Sequence, residues 1–292
     1  MITFVGSVFS PWFGWSGRGD PRDHCCVNVL MQGPGSGPPG LLGGGWTMTD
    51  RGRAALTQTA DRITVGPSSA RWDGTRFILE IDEVAWPLGL KVRGQVIVTP
   101  RAVTDVEVTL TPDGAHVWRP FAPASDIEVR IDRPGWSWTG AGYLDGNFGS
   151  RPLEDDFGFW HWGRFPTRGG TTIFYECERR PRGGEPAGET AVALRFGEDG
   201  MVRAAPRPPL QKMRRTGWGL RQEARCDEGR APRRLASMLS APFYNRAVVE
   251  THLEGQRSVG IYEAFDGDRF RAPWVKPLVA LRVPRRRGWR AS

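Results

Sequence analysis

The sequence predicts an all-β protein, an antiparallel sandwich or barrel with little helix. Three observations lead there. Gly 38 and Pro 24 make up roughly a fifth of the 292 residues, too many chain-breakers for a helical bundle. Apolar and polar residues alternate with period two along many short segments. Asp-Gly or Gly-rich turns separate those segments at spacings of roughly 10–15 residues. Hydrophobic residues at 39% can build a core, which excludes wholesale disorder.

Taken in order, residues 1–15 (MITFVGSVFSPWFGW) read as a core strand and its following loop. The first charge is Arg18, but Gly6, Pro11 and Gly14 break the apolar run that a signal peptide needs. Residues 33–45 form a Gly/Pro loop without the Gly-Lys-Ser/Thr ending of a phosphate loop. In 77–82, Phe77, Leu79 and Ile81 share a face, and 96–98, 106–110 and 127–131 read the same way. A boundary near residue 150 gives two domains, 1–150 and 151–292. Strands follow at 171–176, 191–196, 248–253 and 259–264. Turns fall at Asp73-Gly74, Asp113-Gly114, Asp199-Gly200 and Asp266-Gly267. Residues 179–188 read as a long hairpin loop and 203–210, with three prolines, as another break. The best helical candidate is 232–239.

Composition narrows the partners. The formal charge is +8 and only three of 40 bases are lysine. That balance raises nucleic acid first. The final eleven residues, however, hold five arginines and no acid, and without them the charge falls to +3. No basic stripe remains, so a nucleic-acid partner is rejected. An arginine tail with Trp289 suits an anionic membrane surface instead, at ~1 kcal/mol per basic residue. No run of 18 apolar residues is present to span a bilayer. Cys25, Cys26, Cys177 and Cys226 form no C-x-x-C pair, which suits a reducing cytoplasm and gives no zinc signature. Thirteen tryptophans stand against four tyrosines.

Four histidines are candidates for chemistry. His252 reads as an ordinary strand residue and His24 as a turn-orienting one. In Phe159-Trp160-His161-Trp162, the two tryptophans share a face and His161 points away. His116-Val117-Trp118 and Tyr143-Leu144-Asp145 are different. Each pair shares a strand face, ~6–7 Å apart. Together they supply an acid, a base or orienter, and two electron-rich rings. By spacing alone, ordinary packing explains them as well.

The words around these pairs carry more. GYLDGNFGSRPLE at 142–154 resembles the G-Y-x-D-x-N-x-G-x-x-P-L-E segment of the carotenoid 1,2-hydratases, also called hydroxyneurosporene synthases. GSVFSP at 6–11, DPRDHC at 20–25, WTMTDRG at 46–52, GAHVWRP at 114–120, PFY at 242–244 and APWV at 272–275 are similar to that family too. The resemblance implies two lipocalin-like antiparallel β-barrels, the first carrying the catalytic residues. It also implies a further tryptophan-rich strand ahead of Gly6, so the N-terminal edge is expected to be short. His161-Trp162-Gly163-Arg164 and Gly146 depart from the family pattern, which touches substrate fit.

The implied reaction is cofactor- and metal-free addition of water to the terminal double bond of an acyclic carotene, such as neurosporene or lycopene. Asp145 is then the general acid, since burial in an apolar site keeps a carboxyl protonated. Tyr143 and Trp118 face the cation, at roughly 0.5–2 kcal/mol each. His116 orients or deprotonates the water. Trp160 and Asn147 contact the substrate. A carotene resides in the bilayer, so the protein is expected to be cytoplasmic and peripheral on the inner, photosynthetic membrane. The competing readings are a related lipocalin-like terpenoid cyclase or pericyclase, and a non-catalytic lipid carrier. The sequence does not define an oligomeric state.

Overall fold

The computed structural model describes residues 1–32, 46–86 and 88–286. The loop expected at 33–45 and the last six residues of the arginine tail lie outside the described residues. The chain opens with β1 (Ile2–Val5), α1 (Pro11–Trp15), β2 (Cys25–Leu30), β3 (Trp46–Met48) and β4 (Asp50–Arg51). An antiparallel run follows: β5 (Leu56–Gln58), β6 (Arg62–Val65), β7 (Ser68–Trp72), β8 (Phe77–Ala85) and β9 (Leu90–Pro100). After β10 (Val108–Thr109) come two long strands, β11 (His116–Arg133) and β12 (Trp136–Gly149). Next are α2 (Leu153–Asp156), β13 (Phe157–Thr167), β14 (Gly170–Arg179), β15 (Gly188–Gly197) and β16 (Val202–Ala204). The remainder is β17 (Leu210–Lys212), β18 (Glu223–Arg225), β19 (Arg233–Ser240), β20 (Tyr244–Leu253), β21 (Gln256–Asp266), α3 (Gly267–Arg271), α4 (Val275–Ala280) and β22 (Arg285–Arg286). The protein is all-β with a few short helices.

The chain divides into two compact units. One draws on Met1–Pro100, Asp126–Gly142 and Pro273–Ser292, the other on Arg101–Ser125 and Tyr143–Ala272. This interleaving differs from a single boundary near residue 150. Its cause is the pair β11 and β12, whose lengths carry the chain from the second unit to the first and back.

In the first unit, Cys25, Val27 and Val29 of β2 pack with Val65, Ile81, Ala85, Val92, Val129 and Ile131. Ile81 lies on the face that alternation assigned it, and the next inward residue, Glu83, is buried in an ion pair with Arg51 at 2.7 Å. In the second unit, seven antiparallel strands run in the order β16-β15-β14-β13-β21-β20-β19. One face of this sheet holds Phe159, Phe165, Phe174, Ala247, Val249, Leu253, Tyr262 and Ala264 against Leu220 and Ala224. The other face carries the candidate site.

Several local expectations are corrected. The helix expected at 232–239 is strand β19. Its pairing with β20 shifts register around Leu235 and again around Met238. Two bulges break the period-two pattern and leave Leu, Ala and Met, good helix formers, to mislead. The loop after β1 contains α1, with Pro11 at its first turn, where a missing N–H costs nothing. The strand at 106–110 shrinks to Val108–Thr109. Asp266-Gly267 makes no hairpin: the Asp266 carboxylate accepts from the Arg269 N–H and caps α3. The arginine tail is partly built in, since Arg285 lies in β22 and pairs with Asp50.

Candidate active site

Register decides which side chains meet. In the second unit, Trp160 sits opposite Phe265 and Trp162 opposite Glu263, while Tyr244 pairs with Phe265 and Arg246 with Glu263. Paired residues project to the same face. Trp160 therefore stacks on Phe265 at 5.6 Å and meets Tyr175 edge-on at 5.8 Å. His161 projects oppositely, Nε2 lying 2.7 Å from Glu176. The alternation read in the sequence places all three as expected.

Trp118, Tyr143 and Asp145 converge over this face. Trp118 is fully buried and meets Tyr175 at 5.6 Å. Its Nε1–H donates to Asp145 Oδ2 at 3.0 Å and lies 3.2 Å from the Tyr143 hydroxyl. The Tyr143 hydroxyl also donates to Oδ2 at 3.0 Å, and Asn147 Nδ2 approaches it at 3.4 Å. Three neutral donors thus crowd one carboxyl oxygen. No described donor reaches Oδ1. Burial pushes the Asp145 carboxyl from 3.8 up to about 6, against the hydrogen bonds from Tyr143 and Trp118 that pull it down. The Glu263 charge adds to the rise and that of Arg246 opposes it. Burial likewise holds the Tyr143 hydroxyl protonated, well above its usual range.

His116 is drawn elsewhere. Its Nε2 lies 2.8 Å from Asp156, and its Nδ1 lies 2.9 Å from where a Cβ on Gly149 would stand. Asp156 also accepts from Arg151 at 3.0 Å through two nitrogens. Desolvation lowers the His116 pKa, only partly opposed by Asp156. The structure brings together Trp118, Tyr143, Asp145 and Asn147, with Trp160 on the sheet beneath through Tyr175. It places His116 in a separate ion-paired cluster. Trp160 Nε1 is buried without a hydrogen-bond partner.

Sequence reading missed a second carboxylate on this face, half-buried Glu263. Glu263 accepts from Tyr244 Oη at 2.6 Å and from Arg246 Nη2 at 2.6 Å. Only strand register links these three residues, and no local motif announces them. Trp162, whose face the alternation gives but to which the sequence assigns no role, lies 5.3 Å from the Tyr143 ring. The Arg164 guanidinium covers the Tyr143 ring at 5.5 Å. Among the described residues no cluster of His, Cys, Asp and Glu could hold a metal ion, and no helix is long and apolar enough to cross a membrane.

A family model described as carotenoid hydratase CrtC matches residues 1–292. The acyclic carotenoid 1,2-hydratase of Rhodobacter capsulatus is 50% identical over 292 residues, covering 99% of each chain. That of Cereibacter sphaeroides is 48% identical over 293 residues, covering 100% of each. Kievitone hydratase from Nectria haematococca, a solved structure, is 8% identical with a TM-score of 0.47, over 83% of this chain and 84% of that one. At that level neither fold nor function is transferred.

Proposed function

The chain belongs to the carotenoid hydratase family, and on that premise we propose that it adds water to the terminal double bond of an acyclic carotene such as neurosporene or lycopene. The observation that carries the chemistry is Asp145, a carboxyl pushed up to about 6 with neutral donors on one oxygen. Protonating an unactivated alkene is the difficult step. It needs an acid that is still protonated near neutral pH and aimed at carbon.

Oδ2 is held by Trp118, Tyr143 and Asn147, so the proton resides on Oδ1. The alkene π pair takes it, forming a C–H bond at the inner carbon and leaving a tertiary cation at the outer one. Asp145 becomes a carboxylate, and the same donors then stabilise it. Trp118, Trp160 and Trp162 present electron-rich surface to the cation. Arg164 covers the Tyr143 ring, so Tyr143 acts chiefly through its hydroxyl. Asn147 holds the acid rather than the substrate.

Water then adds to the cation through oxygen. The resulting oxonium must lose a proton, and Glu263, steadied by Arg246 and Tyr244, is the nearby anion suited to accept it. The proton returns to Asp145 and closes the cycle without a cofactor. His116 acts by position: with Asp156 and Arg151 it fixes the start of β11, two residues from Trp118. Desolvation, only partly opposed by Asp156, leaves it a poor base for water. Because a carotene dissolves in bilayers, we place the enzyme at a membrane surface.

The test supplies lycopene in membranes and seeks a product heavier by one water. The parent chain is expected to form it, and Asp145→Asn to lose about a hundredfold or more of turnover. A parent that binds carotene with no turnover would instead be a carrier.

A further inference from the structure

The first unit exposes an apolar surface that the proposed reaction does not use. Trp274 caps α4, and Trp274, Leu278 and Leu281 recur at helical spacing on one side of it. They face outward: Trp274 is 53% exposed and Leu281 73%. α1 packs beside α4, with the Lys276 side chain lying over Gly14, and adds Trp15, 50% exposed. Trp12 braces the pair, its Nε1–H donating to the Val283 carbonyl at 2.7 Å. Arg282 Nε donates to the Trp86 carbonyl at 3.1 Å, which ties the end of α4 to the hairpin whose turn exposes Leu88. Large apolar side chains gathered this way mark a contact surface.

Charge identifies what the surface meets. Residues 1–19 and 269–292 contain no Asp or Glu, while Arg18, Lys276, Arg282 and Arg286 fall within them. Exposed indoles favour the headgroup level of a bilayer, leucines the acyl boundary, and bases the lipid phosphates. We propose that α1, α4 and Leu88 dock the protein on an anionic lipid bilayer. The functional reading bears on this only through the substrate's home in the membrane. The surface itself rests on exposure and charge. It includes Arg282 and Arg286 of the arginine tail, whereas Arg285 is committed to Asp50.

The experiment floats the full chain with vesicles of phosphatidylcholine alone and of phosphatidylcholine with phosphatidylglycerol. The parent is expected to partition to the second kind, less so at high salt. Trp274→Ser with Leu278→Ser and Leu281→Ser is expected to lower partitioning at least about tenfold. Trp218→Ser, an equally exposed indole of the second unit at 49%, is the control and is expected to bind as the parent does. Lys276→Glu with Arg286→Glu leaves the apolar residues intact and is expected to remove the phosphatidylglycerol preference. Unchanged binding of the triple variant overturns the proposal. So does equal loss in the Trp218 control, or a parent that binds no vesicle and forms a dimer that the triple variant abolishes. Hydration of detergent-dispersed lycopene is read separately. A parent that binds vesicles yet hydrates nothing breaks the functional reading and leaves the surface standing. Hydration by the triple variant in detergent with normal vesicle binding breaks the surface alone.

Discussion

Two acidic clusters lie on opposite faces of one strand, β13, and they behave in opposite ways. On one face, Asp145 receives hydrogen bonds from an indole, a phenol and an amide, all neutral, and burial raises it to about 6. On the other, Glu176 is held by His161 and by Arg225, which reaches both carboxylate oxygens. Burial would raise Glu176 too, but these partners outweigh it and bring it down to about 2. Asp156, with His116 and Arg151, is lowered in the same manner. The lesson is that burial alone does not make an acid catalyst. A cation among its donors holds a carboxyl ionised, with no proton to give, and neutral donors leave it one.

The largest effect expected from breaking this contrast is on Asp145 itself. Asp145→Asn keeps the shape and the donors' company but has no transferable proton. Turnover should fall about a hundredfold to ten-thousandfold while carotene binding persists, as measured by product formation against binding-induced fluorescence quenching. On the opposite face, Glu176→Gln should cost about 3 kcal/mol in denaturant unfolding, because it leaves Arg225 and His161 without their anion. Its effect on the pH optimum should be nil.

Glu263→Gln should slow hydration by about ten- to a hundredfold, consistent with loss of a proton acceptor after water addition. The alkaline limb of the pH profile should move slightly down, since the Glu263 charge helps to raise Asp145. Trp118→Phe retains a ring but deletes a hydrogen bond that lowers the Asp145 pKa. The limb should then move up, with turnover reduced about tenfold as cation contact and alignment weaken. Asn147→Ala should have the smallest effect, a few-fold at most, because its contact is long at 3.4 Å and exposed.

The contrast also has a signature in stability. Glu176 has a folded value below its ordinary 4.5, so its contribution is present above that pH and is lost as pH falls toward about 2. Asp145 has a folded value above its ordinary 3.8, so its contribution is present below that pH and is lost as pH rises through about 6. Comparing Glu176→Gln and Asp145→Asn with the parent across this range should give difference curves of opposite slope.

Much of this was legible in the sequence, for stated physical reasons. Period two set the faces of Ile81, Trp160 and His161, and β14 ends and β15 begins at the two ends of the expected 179–188 loop. The Tyr143 and Asp145 spacing put both side chains on one face of β12. What the sequence concealed depends on distant pairing. Nothing local aligns Glu263 with Trp162, or separates His116 from Asp145 by giving it Asp156. β19 hid behind its bulges, and the arginine tail concealed that Arg285 answers a buried Asp50. Local pattern carries faces and turns, whereas register and charge pairing are long-range.

The central claim is that Asp145 is protonated where ordinary aspartates are ionised. Infrared difference titration of the parent against Asp145→Asn isolates this single carboxyl. The account predicts a carboxylic C=O band that disappears with a midpoint at about 6. A midpoint at the ordinary 3.8 or below would contradict it.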